Sequence, residues 1–562
     1  MPANVFQKWH IRDTPVYKPL SYLRYKGQAM AHQSNRYSQG GDVTVADGWK
    51  LARLTQPSTL FGANGMRIGP DGRLYVAQAF GSQISAVDIR DGAVTTISPI
   101  GGAIVAPDDL TFDSRATMYV TEVMSERVCA RSPSGDVRII ADKLPAANGI
   151  TDYQDRLFMD ECRPGGRLFE LFSDGRAPRL MADNLPMPNA LSVGPDANIY
   201  FPVIAANEIW RMPLGGGRPE RFAADLAVPT AVKFNRKGFL VSTQGRSGEI
   251  LKFDLQSGAK SVLAKVRPGL DNLAFTDDDR LFVSHFVDGG VAEIMADGTE
   301  RRLVPPGFLG PMGLAVASDG MLYAADGISM ASIASDGAAH RVGLLFDGHF
   351  PGFVRGIAAG PNGTVVVTTS AGDVTTYHPV THAMTVHISG LQELYGVAMS
   401  ADGMIIVSEG AQGRVLEVGG TEVKVRARGL ARPTGVTAAA DGSCYVCEAD
   451  KGQVLHLNGA ATTVVEGLKE PHGLVLAGDQ LYVVDAGARE LVAYSLKARK
   501  RETIASNLPV GAPAGVVPKV LAGIPGLLPG PLPPFAGIAA ARDGTIYVAA
   551  DGEGSVLALK RQ

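Results

Sequence analysis

Cysteine is scarce, with four in 562 residues. That excludes a disulfide framework and agrees with a reducing compartment. Cys444 and Cys447 do form a CxxC, but they lie in SCYVCE, which has the composition of a strand. Side chains at i and i+3 of a strand point to opposite faces, which argues against a shared metal or redox role. Long apolar runs are also missing: there is no stretch of about 18 uninterrupted apolar residues, and the opening MPANVFQKWHIRDTPVYK has no secretory h-region. The expectation is a cytoplasmic protein with no membrane association. Neither sign of charge dominates, since 53 Lys and Arg face 56 Asp and Glu for a net charge of −3. This leaves no basic footprint for nucleic acid and no polybasic run for a membrane surface. Helical periodicity is nearly absent as well.

What the chain has is turns and repetition. Its 67 glycines and 35 prolines punctuate short apolar segments. One pattern, an apolar run, a turn and a second apolar run ending in a polar residue, recurs about every 40 residues. Its copies include NGMRIGPDGRLYVAQ from Asn64, DDLTFDSRATMYVTE from Asp108, NGITDYQDRLFMDE from Asn148, NALSVGPDANIYFPV from Asn189, TAVKFNRKGFLVST from Thr230 and DNLAFTDDDRLFVSH from Asp271. Further copies start at Met312, Arg355, Tyr395, Thr434, His472 and Ala536. Two more apolar segments usually follow each hairpin, and four strands per repeat is the signature of a propeller blade.

About twelve blades exceed one ring. The reading is therefore all-β, two six-bladed propellers in tandem: an N-terminal arm over residues 1–58, a first propeller over 59–309 and a second over 310–562. The last repeat stops after its third strand, SVLALK, and Trp49 to Thr55 has the composition to supply the missing outer strand. Such a strand removes an exposed edge and closes the second ring. An apolar Pro- and Gly-rich insertion, residues 507–534, lies in a connection between blades and is expected to pack as a lid on the second ring's mouth.

In an antiparallel hairpin, the start of the first strand and the end of the second lie side by side. Around a ring these positions converge on one mouth. In the first ring they are Asn64, Asp108, Asn148, Asn189, Thr230 and Asp271, with Gln78, Glu122, Glu161, Val203, Thr243 and His285 at the second-strand ends. These are mostly oxygen donors suited to Ca²⁺ or Mg²⁺, and Zn²⁺ accepts carboxylate with His. Glu122, Glu161 or His285 is then available as a general base. In the second ring, His472, Arg355 and Tyr395 face Asp326, Glu409, Glu448 and Asp485. That set suits proton abstraction with stabilisation of an enolate.

The hairpins resemble the six-bladed propellers of the gluconolactonase and senescence-marker-protein (regucalcin) family, and NHL-repeat proteins. MPNALSVGPDANIYF and AANGITDYQDRLFMDE are similar to its Pro-Asn-Gly-Leu blades, and LDNLAFTDDDRLFVSH to its Asp-bearing blade. The resemblance implies that Asn148, Asn189 and Asp271 ligate a divalent metal and that Asp271 doubles as a base. The chain departs from the family at Asn64, where the family has Glu, and at Thr230, where its Asp normally falls. RPTGVTAAADGSCYVCE and EPHGLVLAGDQLYVVD resemble blades of the virginiamycin B lyase family, which implies His472 as base with Glu409, Glu448 and Asp485 as metal-binding or orienting groups.

The expected function is a metal-dependent, lactonase-like hydrolase acting on a small cyclic ester or related carbonyl compound. Asn64 and Asp108 are expected to bind the substrate in the first mouth, and Arg355 and Tyr395 in the second. The alternatives are a lyase in the second mouth with His472 as base, and a non-enzymatic binding scaffold. The sequence specifies neither the substrate nor the oligomeric state.

Overall fold

In the computed structural model, residues 36–37 and 42–562 are described, apart from 346, 348 and 421. Most of the N-terminal arm expected over residues 1–58 lies outside them. The described chain forms twelve antiparallel sheets, eleven of four strands and one of five. Each four-stranded sheet runs from an inner strand to an exposed outer one, and burial follows that order. The second strand Leu74–Gln78 is almost wholly buried, whereas a fourth strand such as Lys260–Lys265 is mostly exposed.

The hairpin turn differs in one detail from a two-residue Asp-Gly turn. In the first copy, Gly69 N–H donates to Arg73 C=O at 2.8 Å and Gly72 N–H donates to Gly69 C=O at 2.9 Å. Gly72 has φ +77°. This is a three-residue loop ending in a left-handed residue, where glycine costs least.

The described residues divide into two compact units, one of residues 58–307 with 516–527, the other of the described residues up to 57 with 308–515 and 528–562. The apolar insertion is therefore split. Its middle belongs with the first ring, where a Cβ on Gly526 would meet Pro164 and one on Gly101 would meet Val516.

The first unit has six sheets, each built from four consecutive strands between Met66–Ile68 and Glu300–Val304. Its ring closes by packing, as Phe282 and Val291 of the sixth sheet join Met66, Leu74 and Val76 of the first in one apolar cluster. The second unit closes covalently distant parts of the chain. Its last sheet contains Ile538–Ala540, Ile546–Ala550 and Ser555–Arg561, and Trp49–Arg53 is its outer strand, in register from Trp49↔Arg561 to Arg53↔Leu557. Arg53 pairs with the buried Glu553 at 2.9 Å beside this seam. Thr44–Val45 adds a fifth strand to the preceding sheet by pairing with Ser506 and Ala505.

The free cysteines Cys444 and Cys447 lie on opposite faces of the strand Cys444–Glu448, in two separate apolar clusters. No helix among the described residues is long and apolar enough to cross a membrane.

Candidate active site

The first ring brings its polar residues to the axis through a repeated backbone device. Two residues before each of Asn64, Asp108, Asn148, Asn189, Thr230 and Asp271, the chain turns through a positive φ. These residues are Gly62 (75°), Ala106 (49°), Ala146 (57°), Met187 (59°), Val228 (60°) and Gly269 (94°). Each non-glycine in this region costs on the order of 1 kcal/mol, and the β-branched Val228 is the most strained. A register shift follows in most blades, for example between Pro107↔Glu122 and Leu110↔Val120. Such a bulge re-aims the intervening side chains.

The six residues are buried at the rim except Asp271, which is half-buried. Three are tied to the fold. Asn64 Oδ1 accepts from Ala79 N–H at 3.1 Å, Asn189 Oδ1 accepts from Ala190 N–H at 2.9 Å, and Thr230 Oγ1 donates to Leu270 C=O at 3.2 Å. Asn148 Oδ1 is buried with no hydrogen-bond partner. Asp108 is held well above the usual carboxylate range by burial first, then by Asp271, Asp109 and Asp160. Burial, then Asp109, pushes Asp271 up to about 8. The charges that raise both carboxyls are those of other aspartates.

Beneath the rim lies a second layer that the reading of end positions missed. Arg67 donates to Ile150 C=O at 2.9 Å, and burial before all else brings the Lys233 amine down to about 7. Asp160 accepts from Gly149 N–H at 3.1 Å through Oδ1, while its buried Oδ2 has no partner. Cys162 lies beside this group: burial chiefly, then Asp160, Asp108 and Asp271, raise its thiol. A sequence signal for this layer exists. All six hairpins of the second ring carry Gly directly after the rim residue, whereas the first ring places Asp109 and Asn272 there.

The second-strand ends have a different task from the one expected. Their side chains turn toward the segment entering the same blade and accept its backbone N–H groups. Phe61 N–H donates to Gln78 at 2.9 Å, Val105 to Glu122 at 3.1 Å, Gln392 to Glu409 at 2.8 Å and Ala431 to Glu448 at 2.7 Å. Lys469 and Glu470 N–H donate to Asp485 at 2.8 and 2.9 Å. In the fifth blade this residue is Gln244, which accepts from Ala227 N–H at 2.9 Å, so the latch is one position beyond Thr243. Arg127 pairs with Glu122, Arg163 and Arg167 with Glu161, Arg414 with Glu409, and Lys451 with Glu448. The carboxylates of Glu122, Glu409, Glu448 and Asp485 are thus engaged as latches within their blades, Glu161 is held by its two arginines instead, and His285, wholly buried, occupies the same position. The physical reason is that loop N–H groups removed from water need acceptors, and the strand end is the nearest place to put one.

In the second ring the axis is lined by Gly313, Gly356, Gly396, Gly435, Gly473 and Gly537, around a cavity of about 30 Å³. A Cβ on Gly396 would lie 2.7 Å from Thr434 C=O, and one on Gly473 would lie 2.6 Å from Ala536 C=O. This close approach leaves room for water but little else. At the rim, Arg355, Tyr395 and His472 are all buried. His472 Nδ1 accepts from Ala536 N–H at 3.3 Å, so the neutral ring carries its proton on Nε2, which faces Glu470 at 3.5 Å. In this arrangement the lone pair a base would use is already engaged. Phe535 covers the ring, with centroids 6.2 Å apart.

The first mouth carries two carboxyls with raised proton affinity and amide oxygens, one of them orphaned, which are donor types that hard divalent cations choose. Among the described residues no three His, Cys, Asp or Glu side chains group as a metal cluster. The fit therefore rests on two carboxylates supplemented by amides.

No family model matches the chain. In sequence it is 25% identical over 197 residues to a gluconolactonase of Zymomonas mobilis, a match covering 35% of this chain and 41% of that protein's length. Similar solved structures include a gluconolactonase of Xanthomonas campestris (18% identity, 44% of this chain and 96% of that chain, TM-score 0.37). Another is virginiamycin B lyase of Staphylococcus aureus (16% identity, 52% and 98%, TM-score 0.36).

Proposed function

We propose that the first ring's mouth is a lactonase-like hydrolytic site for a small cyclic ester, supported by a divalent cation of the Ca²⁺, Mg²⁺ or Zn²⁺ class. The observation that carries this reading is the buried, partnerless Asn148 Oδ1 in the ring that also carries Asp108 and Asp271, two carboxyls raised by burial and by other aspartates. A buried acceptor without a donor is costly, and so is a pair of like-charged carboxylates. Oxygen donors arranged at such cost are what a cation repays. The sequence likeness to a gluconolactonase supports the choice of reaction class.

Asn148, Asp108 and Asp271 would hold the cation, with Asn189 adjoining. When bound, it supplies Lewis-acid polarisation of the ester carbonyl. Asp271 is the rim residue that water reaches, being half-buried, and its carboxylate accepts the proton of the attacking water. Asn64 and Thr230, fixed by their hydrogen bonds, shape the rim against which the ring of the substrate lies.

The test is elemental analysis together with hydrolysis of a five- or six-membered aldonolactone. Asn148→Ala and Asp271→Asn should each lose bound metal and hydrolysis, while His472→Ala keeps both. Retention of metal in Asp271→Asn and Asn148→Ala would refute the reading.

A further inference from the structure

The second ring's mouth contains a buried charge that has no ion-pair partner among the described residues. The Arg355 side chain is fully buried. Its Nη1 donates to Leu394 C=O at 2.6 Å, its Nη2 reaches Pro531 C=O at 3.5 Å, and its Nε has no partner. The guanidinium lies 5.2 Å over the Tyr395 ring. No carboxylate pairs with it among the described residues. The carboxylate whose charge acts on the guanidinium is Glu393, which forms no ion pair with it. A guanidinium presents a planar fork matched to a carboxylate, so backbone carbonyls, one of them at the limit of hydrogen bonding, are poor substitutes.

What covers this charge is the last part of the insertion together with Phe535, which follows it directly. Leu528, Leu532 and Phe535 are buried, and the segment has no strand pairing with the blades below it. Phe535 sits between two rings, 6.2 Å from His472 and 6.1 Å from Tyr395. It also forms part of the lining of the axial cavity. Two features of one small molecule are therefore mimicked side by side: an aromatic ring by Phe535 and an acceptor oxygen by the Pro531 carbonyl.

We propose that the second ring's mouth binds a small carboxylate bearing an aromatic or similarly flat apolar group, in competition with the chain's own Phe535 and Pro531. The ligand's carboxylate takes the Nε and Nη2 edge of Arg355, and its ring takes the place of Phe535 between His472 and Tyr395. Binding requires the segment to lift, so the apparent affinity is reduced by the fraction of molecules in which it is open. This site is independent of the hydrolytic reading of the first ring.

The experiment is calorimetric titration of the full-length protein with phenylacetate, using 2-phenylethanol as the uncharged control. Removing the plug in Phe535→Ala should raise phenylacetate affinity about tenfold or more over wild type, the ratio expected when a charge-assisted pair becomes accessible. Adding Arg355→Gln should abolish that gain. Trp49 fluorescence reports whether the second unit is folded, and if Phe535→Ala does not fold, Phe535→Leu replaces it with a smaller expected gain. The proposal is overturned by no gain in a folded variant, by a gain that survives Arg355→Gln, or by an equal gain for 2-phenylethanol, which would mark a merely apolar cavity.

Discussion

Replacing Trp49 with alanine isolates the seam that joins the two ends of the chain. Trp49 starts the outer strand of the last sheet, opposite Arg561, and is buried in the cluster that includes Leu491, Ile504, Leu557 and Leu559. Its indole meets Tyr482 edge-on at 6.2 Å. Truncating a buried Trp costs about 3–5 kcal/mol, and an outer strand lets solvent relieve part of the cavity, so about 3 kcal/mol is expected. With a urea dependence of about 3 kcal/mol per molar for a unit of this size, the second unit's midpoint should fall by about 1 M. The three tryptophans make the assay selective. Trp9 is changed to Phe in all variants, leaving Trp210, on the strand Glu208–Pro213 of the first unit, as the fluorophore in Trp49→Ala. Circular dichroism should then show an earlier phase while Trp210 fluorescence keeps its midpoint. A Trp210 transition that moves with the circular dichroism, or the absence of any shift, would refute the assignment of this strand to the second ring.

Three further outcomes follow from the same geometry. Glu448→Ala leaves the half-buried Ala431 N–H without its acceptor and should destabilise the second unit by about 1 kcal/mol, with bound metal unchanged on elemental analysis; loss of metal would instead make Glu448 a ligand. Gly396→Ala sets a Cβ 2.7 Å from Thr434 C=O and 2.9 Å from Val436 N, so the second unit's melting temperature should drop sharply, whereas Gly403→Ala, at a loop with nothing within 4 Å of the new Cβ, should suffer only the cost of its left-handed φ. Chelated protein should lose stability as pH rises from about 4 to about 8. Over that range the folded state keeps the proton on Asp271, whose carboxyl sits at about 8, while the unfolded chain has released it. Thermal melts across pH should show this slope, and Asp271→Asn should flatten it.

Much of the architecture was legible because it is local and repeated. Alternating apolar segments, glycine-bearing turns and a period of about 40 residues specify hairpins whatever surrounds them. The truncated last repeat and the strand-like WKLAR pointed to closure by the N-terminus, since an unpaired edge and an unassigned strand solve each other. The rim residues Asn64, Asp108, Asn148, Asn189, Thr230 and Asp271 were also readable, because the first strand of every blade faces the axis. The second-strand ends were misjudged for a reason of direction. Adjacency at one end of a hairpin says nothing about which way a side chain turns, and Glu122, Glu161, Glu409, Glu448 and Asp485 turn to the entering segment's N–H groups or to neighbouring Arg and Lys. The layer of Asp109, Asp160 and Lys233 went unread because it is assembled from three blades.

By itself, the sequence determined the all-β class, the twelve-blade count and the closing strand. Only the tertiary structure decided that the insertion divides between the two units, that Phe535 and Pro531 seal the second mouth over Arg355, and that Asn148 Oδ1 is left without a donor. The division has a physical cause. Strand formation and turns depend on neighbours within a few residues, whereas burial, charge compensation and hydrogen-bond satisfaction depend on which distant segments the ring brings to one point.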